Sequence, residues 1–256
     1  MISIIIPTCG KGDIVSCLKS IIEYTDISKV RVLVSANGCP DDIITTIEGL
    51  KCCELIINDE PIGFPKAVNV ALKLVDNSDI VLLNDDLTFQ GPWLHLFTDQ
   101  LDKADILGDC MFQVGSWCAN QLVRFDVISF YCAFIKWEAF KKIGFLDESY
   151  SPGYGEDANF CIRAMREGFK FLRVRIPLYH VGTQSLGASH DWNWTNRIAD
   201  ECVYMMVEEG YWNQWIWLCK SCISKPNFSI EWLWCPDCVT NYNRFRNAKK
   251  YNLLYK

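Results

Sequence analysis

Through the first 86 residues, short β-branched runs alternate with amphipathic stretches. Residues 3–6, 30–35, 55–57 and 80–83 read as strands, while residues 13–24, 41–50 and 65–75 carry apolar side chains at helical spacing. Strands alternating with helices of this length imply βαβ units and a mostly parallel sheet covered on both faces. Ligands of such sheets sit outside the carboxyl ends of the strands. The segments that follow these strands are Pro7-Thr8-Cys9-Gly10, Ala36-Asn37-Gly38-Cys39, Asp59-Glu60-Pro61-Ile62-Gly63 and Asn84-Asp85-Asp86. All are polar and turn-forming, and they are expected to converge on one crevice.

Further along, residues 93–101 predict a helix followed by short strands. Residues 129–137 form an apolar run that leads into a helix at 138–143, which Gly144 stops as a C-cap. A Gly- and Tyr-rich loop precedes another helix at 156–167, ending at Gly168. A last strand at 171–174 carries the chain to His180. Residues 191–209 predict a helix, joined by the Trp-rich stretch 211–218 to a cysteine-bearing tail. The sequence shows no internal repeat or low-complexity linker.

A chain of 256 residues, 50% hydrophobic and 22% charged, has enough apolar side chains for one large buried core with a small appendage. No apolar run approaches the roughly 20 residues of a membrane span, and the opening Met1-Ile2-Ser3-Ile4-Ile5-Ile6-Pro7 lacks the basic lead of a signal peptide. A cytoplasmic protein is therefore expected. Most of the 14 cysteines, among them Cys17, Cys132, Cys161 and Cys202, lie singly inside apolar patterns, where a reduced thiol serves as a small hydrophobe. A net charge of −6 argues against a surface coated for nucleic acid, although residues 219–256 carry seven Lys or Arg against Glu231 and Asp237.

Asp85 and Asp86 end a buried-strand pattern, where adjacent carboxylates concentrate negative charge that a divalent cation or polar ligand can neutralise. Such a pair also serves simply to cap a turn. His180, in Tyr179-His180-Val181-Gly182, can return to the same sheet edge and add a neutral nitrogen, a mixture suited to Mn2+ that phosphates also bind. A lone histidine is otherwise a satisfied core or surface residue. In Gly153-Tyr154-Gly155-Glu156-Asp157 the two acids either complement a helix dipole or supply a base that takes a proton from an incoming hydroxyl. Asp157 is the preferred base and Glu156 the supporting or competing candidate.

These residues resemble the inverting family 2 glycosyltransferases of the GT-A fold. Ser3-Ile4-Ile5-Ile6-Pro7-Thr8 is similar to that family's first strand and nucleotide loop, and Val34-Ser35-Ala36-Asn37-Gly38-Cys39-Pro40-Asp41 to its second. Ile62-Gly63-Phe64-Pro65-Lys66-Ala67-Val68-Asn69 resembles a Gly-Phe-x-x-Ala-x-Asn helix start, and Leu83-Asn84-Asp85-Asp86 the short DXD-type metal motif. Phe140-x-x-Ile143-Gly144-Phe145-Leu146-Asp147-Glu148 then precedes Gly155-Glu156-Asp157 in the family's order, followed by Tyr179-His180. The resemblance covers about residues 1 to 210.

It implies an α/β GT-A (Rossmann-like) domain over 1–210 that transfers a sugar from a nucleoside-diphosphate donor, UDP-linked by expectation. Pro7, Thr8, Asn37 and Asp85 would line the nucleotide and ribose, with Gly63, Lys66, Asn69 and Asn84 completing the donor-binding set. Asp86 and His180 would hold Mn2+ or Mg2+ at the diphosphate, and Asp157 would deprotonate the acceptor, with Tyr154 beside it. Two positions depart from the family pattern: Asn84 replaces the first acid of the metal motif, and Ala36 replaces an Asp that reads the base. Asp86 is retained, whereas the preference for UDP rests on less.

Cys219-x-x-Cys222 and Cys235-x-x-Cys238, twelve residues apart, are slightly short of the usual four-cysteine Zn2+ spacing but within what a ribbon can close, and predict a small zinc-ribbon-like module within 211–256. Two hairpins of unrelated buried cysteines, or a redox pair, are the other readings. Arg244, Arg246, Lys249, Lys250 and Lys256 interleave with Tyr242, Phe245 and Tyr251, a pattern that suits either a solvated docking tail or a nucleic-acid contact. The acceptor is accordingly expected to be a glycan or a modified nucleic-acid base. A non-catalytic nucleotide-sugar or partner-binding protein and a nucleotidyltransferase are the competing functions.

Overall fold

In a computed structural model we describe residues 1–118 and 121–182, with side chains outside 113–125. The elements run β1 (Ile2–Thr8), α1 (Ile14–Tyr24), β2 (Val30–Asn37), α2 (Asp41–Leu50), β3 (Glu54–Asn58), α3 (Phe64–Leu72), β4 (Asp79–Leu83), β5 (Leu87–Phe89) and α4 (Leu94–Thr98). They continue through β6 (Ile106–Gly108), β7 (Met111–Cys118), β8 (Gln121–Ile128), β9 (Cys132–Ile135), α5 (Trp137–Ile143), α6 (Glu156–Arg166), β10 (Phe171–Arg173) and β11 (Leu178–His180). The chain divides into two compact units, Met1–Gln113 with Asp126–Asp191, and Val114–Phe125 with Trp192–Lys256. The first carries the sheet and the residues discussed below.

Seven strands form that sheet in the order β10-β6-β9-β4-β1-β2-β3. β1 pairs parallel with β2 and β4, β2 with β3, and β10 with β6, while β9 runs antiparallel to both β4 and β6. The result is the mainly parallel α/β sheet that the strand and helix alternation implies, with one reversed strand. β9 follows the β7–β8 two-stranded sheet and lies between β6 and β4 in the opposite direction, which apolar patterning alone does not encode.

Side-chain alternation divides the core between the two faces of the sheet. Ile4 and Ile6 of β1, Val32 and Val34 of β2, and Val81 and Leu83 of β4 pack in one cluster with Ile14, Cys17, Leu18 and Ile21 of α1. The intervening Ile5, Leu33 and Leu82 face the other side, the side on which α3 packs Ala67, Val68, Ala71 and Leu72 against β1 and β2. Both α1 and α3 therefore bury the apolar stripe read from sequence. Their starts differ: Asp13 caps α1 by accepting the Ser16 amide, whereas α3 begins at Gly63 with Pro65 in its first turn.

Phe89 of β5 stacks on the fully buried Trp93 with centroids 4.1 Å apart, and Trp93 meets Phe97 edge-on at 6.4 Å. Such pairs add about 1 kcal/mol beyond burial of their area. They anchor β5, which antiparallel pairing joins to β11. Two helices are shorter than their patterns predict. After Leu72 and after Thr98 the chain tightens into i→i+3 bonds, as in Val75 N to Leu72 O and Gln100 N to Phe97 O. No helix among the described residues is long and apolar enough to cross a membrane. The expected helix at 191–209, the Trp-rich 211–218 and the four-cysteine segment lie outside the described residues.

Candidate active site

Parallel pairing of β1, β2 and β4 brings their carboxyl ends side by side, and the loops that leave them are bonded to one another. The Thr8 hydroxyl donates to Asp85 Oδ2 at 2.5 Å, and the Cys39 thiol donates to the Thr8 carbonyl at 3.2 Å. Asn37 Oδ1 accepts the Ile62 amide at 2.6 Å, and the Gly38 amide reaches the Asn58 carbonyl at 2.9 Å. The four polar segments expected in one crevice are thus linked, directly or through a neighbour. Pro7 lies within β1 opposite Ser35, one residue before the bond from Thr8.

Asp85 is 4% exposed, and burial pushes its carboxyl up to about 6, against the bond from Thr8 and with the added repulsion of Asp86. The Gly12 amide also donates to it. A Cβ at residue 12 would overlap this carboxylate, so the close approach requires glycine. Gly12 was not among the residues singled out from sequence, although Gly10-Lys11-Gly12 at the end of β1 is a turn signal.

Asp86 is held differently. Its Oδ2 accepts the Gly182 amide at 2.9 Å, and its carbonyl accepts the Val181 amide at 3.2 Å. Its Oδ1 lies 3.2 Å from His180 Nε2, yet neither of these buried atoms has a hydrogen-bond partner. The contact follows from the β5–β11 pairing, which sets His180 opposite Leu87, the residue after Asp86. A carboxylate oxygen and an imidazole nitrogen facing each other unbonded suit a shared cation, and this is the fit expected of an oxygen and nitrogen donor set. Among the described residues no group of three or more His, Cys, Asp or Glu side chains gathers for a metal. A cation at this pair would complete its shell with phosphate oxygens and water, as Mg2+-type sites commonly do.

His180 is oriented from behind. The Tyr131 ring stacks on the imidazole, with centroids 4.2 Å apart and planes 26° apart. The Tyr131 hydroxyl donates to Asp109 Oδ2 at 2.6 Å, and Asp109 Oδ1 accepts the Ile176 amide at 2.8 Å. Tyr131 lay inside an apolar run with nothing in the pattern to distinguish it.

A second acidic pair opens α6. Gly155, with φ 95°, forms the N-cap after Tyr154, which also has a positive φ of 73°. Asp157 Oδ1 accepts the Ala158 amide at 2.7 Å. Glu156 is 8% exposed, and its Oε2 is buried without a hydrogen-bond partner. Burial raises both carboxyls, and the charge of Asp157 raises Glu156 further. Arg163, one face further along α6, donates to the Ile143 and Phe145 carbonyls and to Asn159, fixing the helix against the end of α5.

The remaining expected donor residues have other surroundings. Asn69 is buried in α3, and its amide exchanges bonds with the Leu146 backbone, donating at 2.8 Å and accepting at 3.1 Å. It also donates to Glu148 Oε1, so it ties α3 to the turn before α6. Lys66 is exposed on the same helix, and Gly63 begins it with φ 86°. The Asn84 amide donates to the Tyr131 carbonyl at 2.8 Å, and its carbonyl receives the Cys17 thiol at 3.7 Å. Cys219, Cys222, Cys235 and Cys238 lie outside the described residues.

The profile of glycosyl transferase family 2 matches residues 3–137. No curated protein matches the chain. Among solved structures with this α/β GT-A-like fold, TarS of S. aureus is 17% identical with a TM-score of 0.57, over 78% of this chain and 39% of that one. The mannosyltransferase PcManGT from Pyrobaculum calidifontis, in complex with GDP-Man and Mn2+, is 14% identical with a TM-score of 0.52, over 81% of this chain and 63% of that one. GalNAc-T7 with UDP, GalNAc and Mn2+ is 11% identical with a TM-score of 0.59, over 95% of this chain and 54% of that one. The chain spans less than two thirds of the length of each of these three proteins.

Proposed function

The chain belongs to glycosyl transferase family 2, and we propose that it is a metal-dependent inverting glycosyltransferase, moving a sugar from a nucleoside-diphosphate donor to an acceptor hydroxyl. The observation that carries this reading is the facing of Asp86 Oδ1 and His180 Nε2 at 3.2 Å, both buried and unbonded, beside the linked ends of β1, β2 and β4. Two proteins of similar fold, PcManGT and GalNAc-T7, hold a nucleotide sugar or nucleotide together with Mn2+, which supports the same pairing of ligands here.

In this reading Asp86 and His180 hold Mn2+ or Mg2+, which when bound supplies Lewis-acid stabilisation to the departing diphosphate. Asp85, braced by Thr8 and Gly12, accepts hydrogen bonds from donor hydroxyls, and Asn37 contacts the nucleotide through the amide nitrogen that the Ile62 bond leaves free. Asp157 takes the proton of the acceptor hydroxyl as that oxygen bonds to the anomeric carbon and the bond from carbon to diphosphate oxygen breaks. Attack opposite the leaving group inverts the centre. Glu156, whose carboxyl is raised by burial and by the charge of Asp157, is the supporting acid beside it.

We place the transferase domain over 1–210 and a separate module over 211–256, where the two C-x-x-C pairs support a structural Zn2+. The acceptor is a glycan or a modified nucleic-acid base. The eight cysteines with described side chains are all free thiols, which supports a reducing cytoplasmic setting.

Thermal melting with UDP, GDP and other nucleoside diphosphates, with and without Mn2+, tests the donor site. One nucleotide should raise the melting temperature only with Mn2+, and Asp86→Ala should remove that rise. No rise with any nucleotide would reject the proposal.

A further inference from the structure

We propose that Tyr131 is a positioning residue that sets the spacing and orientation of Asp86 and His180, an inference that rests on the reading of this pair as a cation site. Tyr131 touches both partners' supports at once. Its carbonyl accepts the Asn84 amide at 2.8 Å and so holds the segment that carries Asp86. Its ring lies against the His180 imidazole at 4.2 Å and fixes the plane in which Nε2 points.

The hydroxyl anchors this clamp. It donates to Asp109 Oδ2 at 2.6 Å, and Asp109 is itself fixed by three further bonds. These are from Ile176 N to Oδ1 at 2.8 Å, from Arg173 Nε to the carbonyl at 2.9 Å, and from its own amide to the Cys132 carbonyl at 3.2 Å. Ile176 lies two residues before β11, so the anchor reaches the strand that delivers His180. One residue, just before β9, thereby meets the end of β4 through its carbonyl and the approach to β11 through its side chain. Residues that orient a metal-ligating imidazole from outside typically alter metal affinity by roughly 10–100-fold when lost.

The roles of the ring and the hydroxyl separate by substitution. Tyr131→Phe keeps the stack and loses the anchor; Tyr131→Leu loses both. Mn2+ titrated into the full chain at saturating UDP, and in a parallel series GDP, is followed by the loss of the free Mn2+ signal in electron paramagnetic resonance. Tyr131→Leu should weaken Mn2+ binding about tenfold or more, and Tyr131→Phe by roughly two- to fivefold, a graded loss. Transfer assays should show the same order in the Mn2+ concentration needed, with kcat largely recovered at high Mn2+.

Wild-type affinity in a folded Tyr131→Leu protein would overturn the proposal. If that variant does not fold, Asp109→Asn, which weakens the hydroxyl's anchor at constant volume, carries the test, and unchanged Mn2+ affinity there would overturn it equally. A wild-type chain that binds Mn2+ no better than His180→Ala would instead reject the cation reading itself, so the two failures are distinguishable.

Discussion

Two pairs of neighbouring acids, one at the end of β4 and one at the start of α6, are held differently. At the end of β4 Asp85 is bonded by Thr8 and Gly12, and Asp86 by Gly182. At the start of α6, Asp157 takes the backbone amides of Ala158 and Phe130 and Glu156 that of Tyr154, while Glu156 Oε2 has no partner. Carboxylates fixed by donors from distant segments keep their geometry and suit the binding of a preformed ligand. A pair in which one buried oxygen has no donor keeps its protons longer and is suited to exchanging one. The contrast teaches that proximity of acids does not assign their chemistry; the donors around them do.

The largest effect should come from removing the proton acceptor without moving it. Asp157→Asn should lower kcat about a hundred- to ten-thousand-fold while nucleotide binding, read by calorimetry, changes little. A variant that keeps turnover would dissolve the functional half of the comparison. The braced pair is broken from its neighbour: Gly12→Ala pushes a methyl into the Asp85 carboxylate and should cost about 1–3 kcal/mol in denaturant unfolding, with weaker nucleotide binding. Unchanged stability would mean that the loop yields and that the brace is not rigid.

The smallest effect concerns stability against pH. A carboxyl whose folded pKa is raised binds more protons folded than unfolded, so its contribution is fully present below the unfolded pKa and is lost as pH rises through the folded one. Glu156→Gln should therefore raise unfolding stability at pH 8 and have little effect near pH 4. Asp85→Asn should show a weaker gain that is complete at lower pH, since its carboxyl is raised only to about 6 and donors already support the charge. Equal gains in the two variants, measured by chemical denaturation across pH, would erase the distinction between the pairs.

The order of strands and helices through β4 was legible because each βα unit carries its own periodicity and stops. The convergence of Thr8, Asn37 and Asp85 followed from parallel pairing alone. The reversed β9 was not legible, since an apolar run has no direction, and neither were β5 and β11, three residues each, too short to show alternation. The role of Tyr131 and the close packing of Gly12 on Asp85 depend on contacts between segments far apart in sequence, for which the pattern holds no local sign. Asn69 shows the converse: its place in a helix start was readable, but its bonds to Leu146 belong to the tertiary fold.

The β5–β11 ribbon has a thermodynamic consequence. Asp86 and His180 face each other because two three-residue strands pair, and such short ladders open at lower free-energy cost than a seven-stranded core. When the ribbon opens, half of the facing pair departs while the core stays folded, so local unfolding and ligand release are one reaction viewed from two ends. Amide exchange at Val181, whose amide donates to the Asp86 carbonyl, should therefore slow in proportion to occupancy, making the smallest sheet of the described fold a gauge of how full its site is.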